Sequence, residues 1–462
     1  MKVTPQIPQL THGSVKRTLF RMAFPMLAGT ISMSAYNLAD TWYVSLLGTL
    51  PLAAMGFTFP VIMLLTFVAG SIGTGVTTLS SHSLGKSDRE AASDIVTHGI
   101  IFTVMVAVSM AVVGYNTIEP VFTRLGADAL TLPLIGDYMR TWYLGALTMA
   151  LPMMGNGILI ACGDSKGASR FIMLGMAINV ILDPIMIFGW FGFPALGIMG
   201  AALATVISQG LSTIWLFYLL SKKHGLLRFR PGSLLHFLQS CRKILGFAIP
   251  SGLSMMLMPI SSAVITALLS RYGHEAVAAA GAASRIEMFA FVVPMALGMS
   301  MTPYISQNLG AGRIDRIREG KNVATTFALS YGAFIAIVFY LAAPLLSHVF
   351  TSDPEVSRIL IMYIRIISFG YGMMEVHRYC GFVMTGMHRP VNATLLNALR
   401  VIVLLIPLSY AGAYYDGIRG IFFGRLITDL TVGTVGLFWI SRVIRTAIAE
   451  TRPDPNLIRD PA

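Results

Sequence analysis

Apolar positions along the chain fall in long continuous runs, not in the alternation of strands or the one-sided stripe of soluble helices. A helix that crosses a bilayer needs about 20 mostly apolar residues. Twelve such runs occur, at 18–46, 53–78, 93–117, 132–153, 168–189, 197–221, 244–270, 277–302, 322–348, 358–385, 393–412 and 418–441. Gly and Pro inside them do not oppose helix, because membrane helices tolerate both. Their continuity excludes a transmembrane β-barrel, whose strands alternate. The pattern predicts an all-α polytopic membrane protein with twelve transmembrane helices.

Composition removes the soluble alternatives. Of 462 residues, 55% are apolar and 12% charged, whereas a soluble chain carries about 25% charge. That excludes a soluble enzyme, a disordered chain and a disulfide scaffold. Cys162, Cys241 and Cys380 are too few and scattered for a metal site or disulfide framework. No P-loop, GxSxG or HExxH sequence occurs, so nothing supports ATP-driven transport or hydrolysis within the chain, and no cofactor is expected. The net charge of +12 sits in short loops, which suits anionic lipid as a partner and not nucleic acid.

Lys and Arg decide the orientation. Of 33 such residues, Arg124, Arg140, Arg271, Arg358 and Arg419 would be external if the N-terminus is cytoplasmic. Arg285, Arg365, Arg378, Arg400 and Arg425, within runs, count for neither side, leaving 23 on the cytoplasmic side. Both termini are therefore expected in the cytoplasm. The first run is too long for a cleavable signal.

The chain also repeats itself. Shifted by 225 residues, Pro25 falls on Pro250, Gly48 on Gly273, Gly56 on Gly281 and Gly85 on Gly310. Later a shift of 223 pairs Gly163 with Gly386 and Pro184 with Pro407, and a shift of 220 pairs Gly197 with Gly417 and Gly200 with Gly420. Six runs per repeat make a parallel repeat about the membrane normal, the plan of two-lobed transporters, with a cargo cleft expected between the lobes. The expected division is an N-terminal lobe 1–221, a basic cytoplasmic linker 222–243, a C-terminal lobe 244–445 and a tail 446–462.

The charged residues within the runs include Asp40, Asp183, Arg285, Glu287, Arg365, Glu375, Arg378, Arg400, Arg425 and Asp429. Each is costly in hydrocarbon and needs a partner or a watery cavity. Asp40 and Asp183 each lie about seven residues from an outer end, roughly 10 Å deep, and Thr205 reaches roughly 13 Å. Asn179 is one turn deeper than Asp183 on the same helix face. These four form a candidate cation-coupling set, with oxygen ligands that suit Na⁺ or a proton. The plainer reading, that Asp183 only hydrogen-bonds its neighbours, stays open. The repeat places Ile265, Ile402, Ile406 and Arg425 at the corresponding positions.

In the C-terminal lobe, Arg425 and Asp429 are spaced to pair at i,i+4. Arg285 and Glu287 cannot face each other at i,i+2, so each needs a partner elsewhere. Together with Glu375, His377 and Arg378 they are the candidate polar set of that lobe, as a proton or gating site or a structural network. Methionine is abundant, at 28 residues, and suits a promiscuous apolar surface. Met255, Met256 and Met258, with Tyr36 and Asn37, are the candidate cargo contacts.

The segments YNLADTWYVSLLG (36–48), NVILDP (179–184), GAALAT (200–205) and NLGAGR (308–313), with Gly85, resemble the multidrug and toxic compound extrusion (MATE) family across essentially the whole chain. Within it, the chain looks like the prokaryotic DNA-damage-inducible F-like branch. The resemblance implies efflux of bulky, often cationic drugs by H⁺ or Na⁺ antiport in a prokaryotic inner membrane, by a monomer whose partners are small drugs or toxic compounds and membrane lipid. It also implies a coupling site in the N-terminal lobe, at Asp40, Asn179, Asp183 and Thr205. The sodium-type branch has carboxylates on the seventh and tenth spans instead. Here no acidic residue lies between Pro250 and Ser270, and Glu375 is only near the second position. A lipid or lipid-linked sugar flippase and a metabolite transporter are the alternatives.

Overall fold

The structure is a computed structural model describing residues 10–227 and 233–451. Residues 228–232 of the expected linker, 452–462 of the expected tail and 1–9 lie outside the described residues. Among the described residues the chain is helical, without strands. The helices are α1 (Val15–Ser45), α2 (Thr49–Gly85), α3 (Arg89–Asn116), α4 (Ile118–Arg124), α5 (Thr131–Leu144), α6 (Ala146–Ala161), α7 (Ser165–Phe188), α8 (Gly197–Tyr218), α9 (Leu234–Leu269), α10 (His274–Gly310), α11 (Ile314–Phe350), α12 (Pro354–Ile367), α13 (Tyr371–Gly386), α14 (Pro390–Ala398) and α15 (Ile406–Thr451).

All twelve runs fall on these helices. Among the described residues nine helices are long and apolar enough to cross a membrane, or ten if α5 and α6, bent by 56°, form one span. The last of them, Pro390–Ala449, holds two runs, because Asp416 (φ −142°) and Gly417 (φ 56°) leave helical geometry within it. α1 has 31 residues and carries the first run, diluted by Thr30, Ser32, Ser34, Asn37 and Asp40. Several helices exceed the runs: α2 has 37 residues, about 55 Å of helix against a hydrocarbon core of about 30 Å.

The chain groups into two compact units, Arg21–Gly252 and Leu10–Phe20 with Leu253 onward. The breaks fall inside α1 and α9. The opening of α9 stays with the first unit, where a side chain on Gly75 would meet the Ile244 carbonyl at 2.8 Å and His98 contacts Ser240 at 2.9 Å. The segment before α1 stays with the second. There the buried Arg316 donates to Gly13 O (2.6 Å), Leu10 O (3.2 Å), His12 O (3.3 Å) and Asn308 Oδ1 (2.9 Å). Leu10 N donates to Gln307 Oε1 at 2.9 Å.

Each unit buries an apolar core, and the two cores match residue by residue. In the first, Val44, Ala54, Ile118, Ile135, Tyr138, Met139, Trp142, Ala201 and Ala202 pack together. In the second, Leu269, Ala279, Ala343, Leu360, Tyr363, Ile364, Ile367, Ile421 and Phe422 do so. The shift is 225 up to Trp142, and 220 for the last two pairs.

The structure corrects the register between those regions. Asp128 Oδ1 accepts from Leu130 N and Thr131 N, and Asp353 Oδ1 accepts from Glu355 N and Val356 N. The left-handed residue at the next turn is Gly163 (φ 72°) in one half and His388 (φ 61°) in the other. The shift is thus still 225 there, and Gly163 does not match Gly386. A side chain on Gly200 would meet the Met186 carbonyl at 2.3 Å, and one on Gly420 the Gly412 carbonyl at 1.9 Å. That equates Met186 with Gly412, a shift of 226. The extra residue lies in the π turn Leu399–Leu405, which widens a helix without a loop. Asp183 therefore corresponds to Ser409 and Pro184 to Tyr410, not to Ile406 and Pro407. Asn179 corresponds to Leu405, not to Ile402.

Candidate cation-coupling site

In the first unit the four expected residues come from α1, α7 and α8. Asp164 caps α7, accepting from Gly167 N at 3.0 Å, and also meets Lys223 Nζ at 2.5 Å and His224 Nε2 at 3.0 Å. Burial pushes this carboxylate at the start of α7 up, but hydrogen bonds from His224, Lys223 and the Gly167 N–H outweigh it and hold the group well below the usual carboxylate range. α7 and α8 then run close together, because Gly175 faces Ser212 and Gly200 faces the Met186 carbonyl. Only glycine allows that approach. It sets Asn179 and Asp183 opposite Thr205. Pro184 has no N–H to give the Val180 carbonyl, which weakens α7 at this turn.

Asp40, Asn179 and Asp183 are 7, 1 and 0% exposed. With its amide oriented to satisfy both ends, Asn179 donates to Asp183 Oδ2 at 3.2 Å and accepts from Thr205 Oγ1 at 3.2 Å. Oδ1 of Asp183 and Oδ1 of Asp40 are buried without a hydrogen-bond partner. Asp40 acts electrostatically on Asp183, and among the described residues neither carboxylate has an ion-pair partner. Buried charges are normally paired, so two orphaned carboxylate oxygens beside each other make this place a candidate receptor for a cation. The donors are all oxygen, which suits a proton or a hard ion such as Na⁺. Among the described residues no group of three His, Cys, Asp or Glu gathers as a metal cluster would.

Tyr36 joins this pocket, hydrogen-bonded to the Thr205 side chain and within electrostatic reach of Asp40 and Asp183. Asn37 does not: it is exposed and donates to the Met33 carbonyl of its own helix at 3.0 Å. Met256 and Met258 are 40 and 65% exposed on α9, and Met255 is half-buried there. The sequence reading missed Tyr138, which is buried within reach of Asp40, Tyr36 and Asp183. It lies six residues from the outer end of its run, at the depth of Asp40. Depth accounting extended to hydroxyls would have flagged it.

In the second unit most charges meet opposite charges, although Asp429 Oδ2 and both carboxylate oxygens of Glu375 are buried without a hydrogen-bond partner. Arg425 Nη2 meets Glu287 Oε1 at 2.7 Å, and Arg425 also donates to the Tyr363 hydroxyl. Tyr363 donates to Glu287 at 2.9 Å. Asp429 takes Arg400 at 2.8 and 3.1 Å. The expected Arg425–Asp429 pair is only a 3.8 Å approach, because each has a better-placed partner on another helix. Glu375 sits 3.0 Å from Arg378, whose guanidinium also lies over the Phe291 ring at 5.2 Å. His377 bonds the Leu396 backbone. The C-lobe set thus divides into separate contacts. Arg285 joins none of them: it is exposed on α10, with no ion pair among the described residues.

Comparisons with known proteins agree with this architecture. The family model MatE matches residues 25–185 and 250–411. The matches begin 225 residues apart and end 226 apart, the register found across the π turn. A FAD transporter of Shewanella oneidensis is 34% identical, covering 96% of this chain and 98% of that protein. The multidrug export protein MepA of Staphylococcus aureus is 24% identical, over 92% and 93%. The Vibrio cholerae MATE transporter VcmN in its bent form is 30% identical, with a TM-score of 0.89 over 94% of this chain and 98% of that one. An outward-facing multidrug resistance MATE transporter is 25% identical, with a TM-score of 0.90 over 97% and 100%. Twelve helix-borne runs, two matching six-helix cores and these likenesses place the chain in the MATE family of multi-pass membrane transporters.

Proposed function

We propose that this chain is a cation-coupled exporter of bulky toxic compounds, working by alternating access of its two lobes in a prokaryotic cytoplasmic membrane with both termini inside. The lobes would comprise 1–221 and 244–445, joined by the cytoplasmic segment 222–243. One observation carries the reading: two buried carboxylates, Asp40 and Asp183, each with an orphaned oxygen, beside Asn179 and Thr205. A proton or Na⁺ entering the pocket satisfies those oxygens and removes their repulsion. The charge change falls next to the Pro184 weak point of α7, which gives the pocket a two-state element to bias. Cargo and cation then oppose each other, and linkage makes the effect reciprocal. The test is ethidium flux in proteoliposomes with ΔpH and ΔNa⁺ imposed separately, for wild type and Asp40→Asn. Gradient-driven flux should vanish in the variant; wild-type flux from a folded Asp40→Asn protein would overturn the reading.

A second reading concerns the cargo. The 34% identical relative from Shewanella oneidensis is named a FAD transporter, and FAD is an anion. Arg285 supports such cargo here. It lies eleven residues from the start of α10, roughly 16 Å along it, where an unpaired guanidinium in lipid is costly. A watery cargo path satisfies it. FAD flux lost in Arg285→Gln while ethidium flux persists would favour the anionic cargo; the reverse pattern would exclude it.

A further inference from the structure

The register places Ile265, Leu405, Ser409 and Arg425 of the second unit where the first has Asp40, Asn179, Asp183 and Thr205. One feature survives the exchange. Both units hold a buried tyrosine at the matching position beside two carboxylates: Tyr138 with Asp40 and Asp183, and Tyr363 with Glu287 and Asp429. What differs is the cation. Among the described residues the first pocket has no fixed positive charge. In the second, Arg425 sits between Glu287 and the Tyr363 hydroxyl, and Arg400 covers Asp429.

We propose that Arg425 is a tethered cation, its guanidinium standing in the second unit where an exchangeable ion stands in the first. The inference rests on the cation-site reading of the first unit. The groups facing this place are Glu287 of α10, Tyr363 of α12, Tyr371 of α13, Arg400 of the π turn and Asp429 beside Arg425 on α15. Two acids face two guanidiniums, so the network is neutral and calls for no outside ion. The second unit is thus held permanently in the filled state. Only the first alternates between filled and empty, and one pocket per chain responds to the gradient. Replacing Arg425 by threonine, the residue of the first unit, leaves the network one positive charge short. Its ligand would then be a monovalent cation, a proton or Na⁺.

The experiment follows thermal unfolding of the detergent-purified full chain against added NaCl, with choline chloride as the salt control, and against pH from mildly acidic to mildly alkaline. Asp40→Asn should remove the wild-type response; if it does not, the first-unit reading fails, whatever Arg425 does. Asp40→Asn with Arg425→Thr should regain a rise in melting temperature on adding Na⁺ or acid. Adding Glu287→Gln should abolish it again. A folded Asp40→Asn/Arg425→Thr protein indifferent to both ions overturns the proposal. Thr205→Arg gives a reciprocal measurement should the double variant not fold. It installs a tether in the first unit, leaving Asp40 and Asp183 with one fixed cation, and should melt above cation-free wild type with a smaller rise on adding Na⁺ or acid. A wild-type response, or melting below cation-free wild type, overturns the proposal.

Discussion

Gly200 offers a test that leaves every side chain of the pocket in place. A Cβ there would stand 2.3 Å from the Met186 carbonyl oxygen, whereas an ordinary contact begins at 3.4 Å. Gly200→Ala therefore pushes α8 from α7 by about 1.1 Å, and overpacking of this kind costs about 1–3 kcal/mol. Thr205 lies a turn and a half further along α8 and meets Asn179 at 3.2 Å. A shift passed on in full stretches that contact to about 4.3 Å, past the reach of a hydrogen bond. Asn179 then loses the partner that aims it at Asp183. The variant should melt lower in detergent and lose at least about tenfold in gradient-driven flux, equivalent to ~1.4 kcal/mol. Gly56→Ala is the control, because its Cβ would meet nothing within 4 Å. It should be neutral, or stabilise by up to about 1 kcal/mol through helix propensity. Wild-type melting and flux from Gly200→Ala would refute the claim that this crossing sets the pocket.

Other consequences are as direct. Tyr138→Phe removes a hydroxyl beside Asp40 and Asp183 and should alter the cation dependence of flux while the protein stays folded, as flux titrations against Na⁺ and pH would show. Asp164→Asn should cost about 1–2 kcal/mol above pH 5, since it keeps the helix cap but removes the charged partner of Lys223 and His224. The wild-type advantage should shrink as pH falls, because a group held below its unfolded value contributes only where the unfolded group is ionised. Arg316→Ala removes one donor from each of the carbonyls of Leu10, His12 and Gly13, so hydrogen exchange across residues 10–13 should rise; unchanged protection there would show that Arg316 does not anchor the segment. A cysteine at Ser233 should resist an impermeant thiol reagent in intact cells, because the flanking segment 222–243 is basic and expected to be cytoplasmic.

Hydropathy and charge cost act along one dimension, and what they govern was legible in the chain. Twelve apolar runs became helix because a bilayer demands internal hydrogen bonding wherever the chain crosses it. Glycine and proline matches revealed the duplication because they mark backbone geometry, as Gly197 and Gly417 show with φ of 56° each. Counting residues inward put Asp40, Asp183 and Thr205 at one depth. Depth, however, says nothing of azimuth. That Tyr138 faces the carboxylates while Asn37 turns away follows from how α1, α5, α7 and α8 pack. The π turn at Leu399–Leu405 adds one residue without any break in hydrophobicity, while the chance matches of Gly163 with Gly386 and Pro184 with Pro407 pull the register two residues the other way, so the partner of Asp183 is Ser409 and not Ile406. Arg425 turned from its i,i+4 neighbour Asp429 to Glu287, 138 residues away in the chain, because guanidinium pairing is decided by which helices lie alongside. Local propensity specifies the spans; only tertiary packing specifies which charges meet and which remain without a partner.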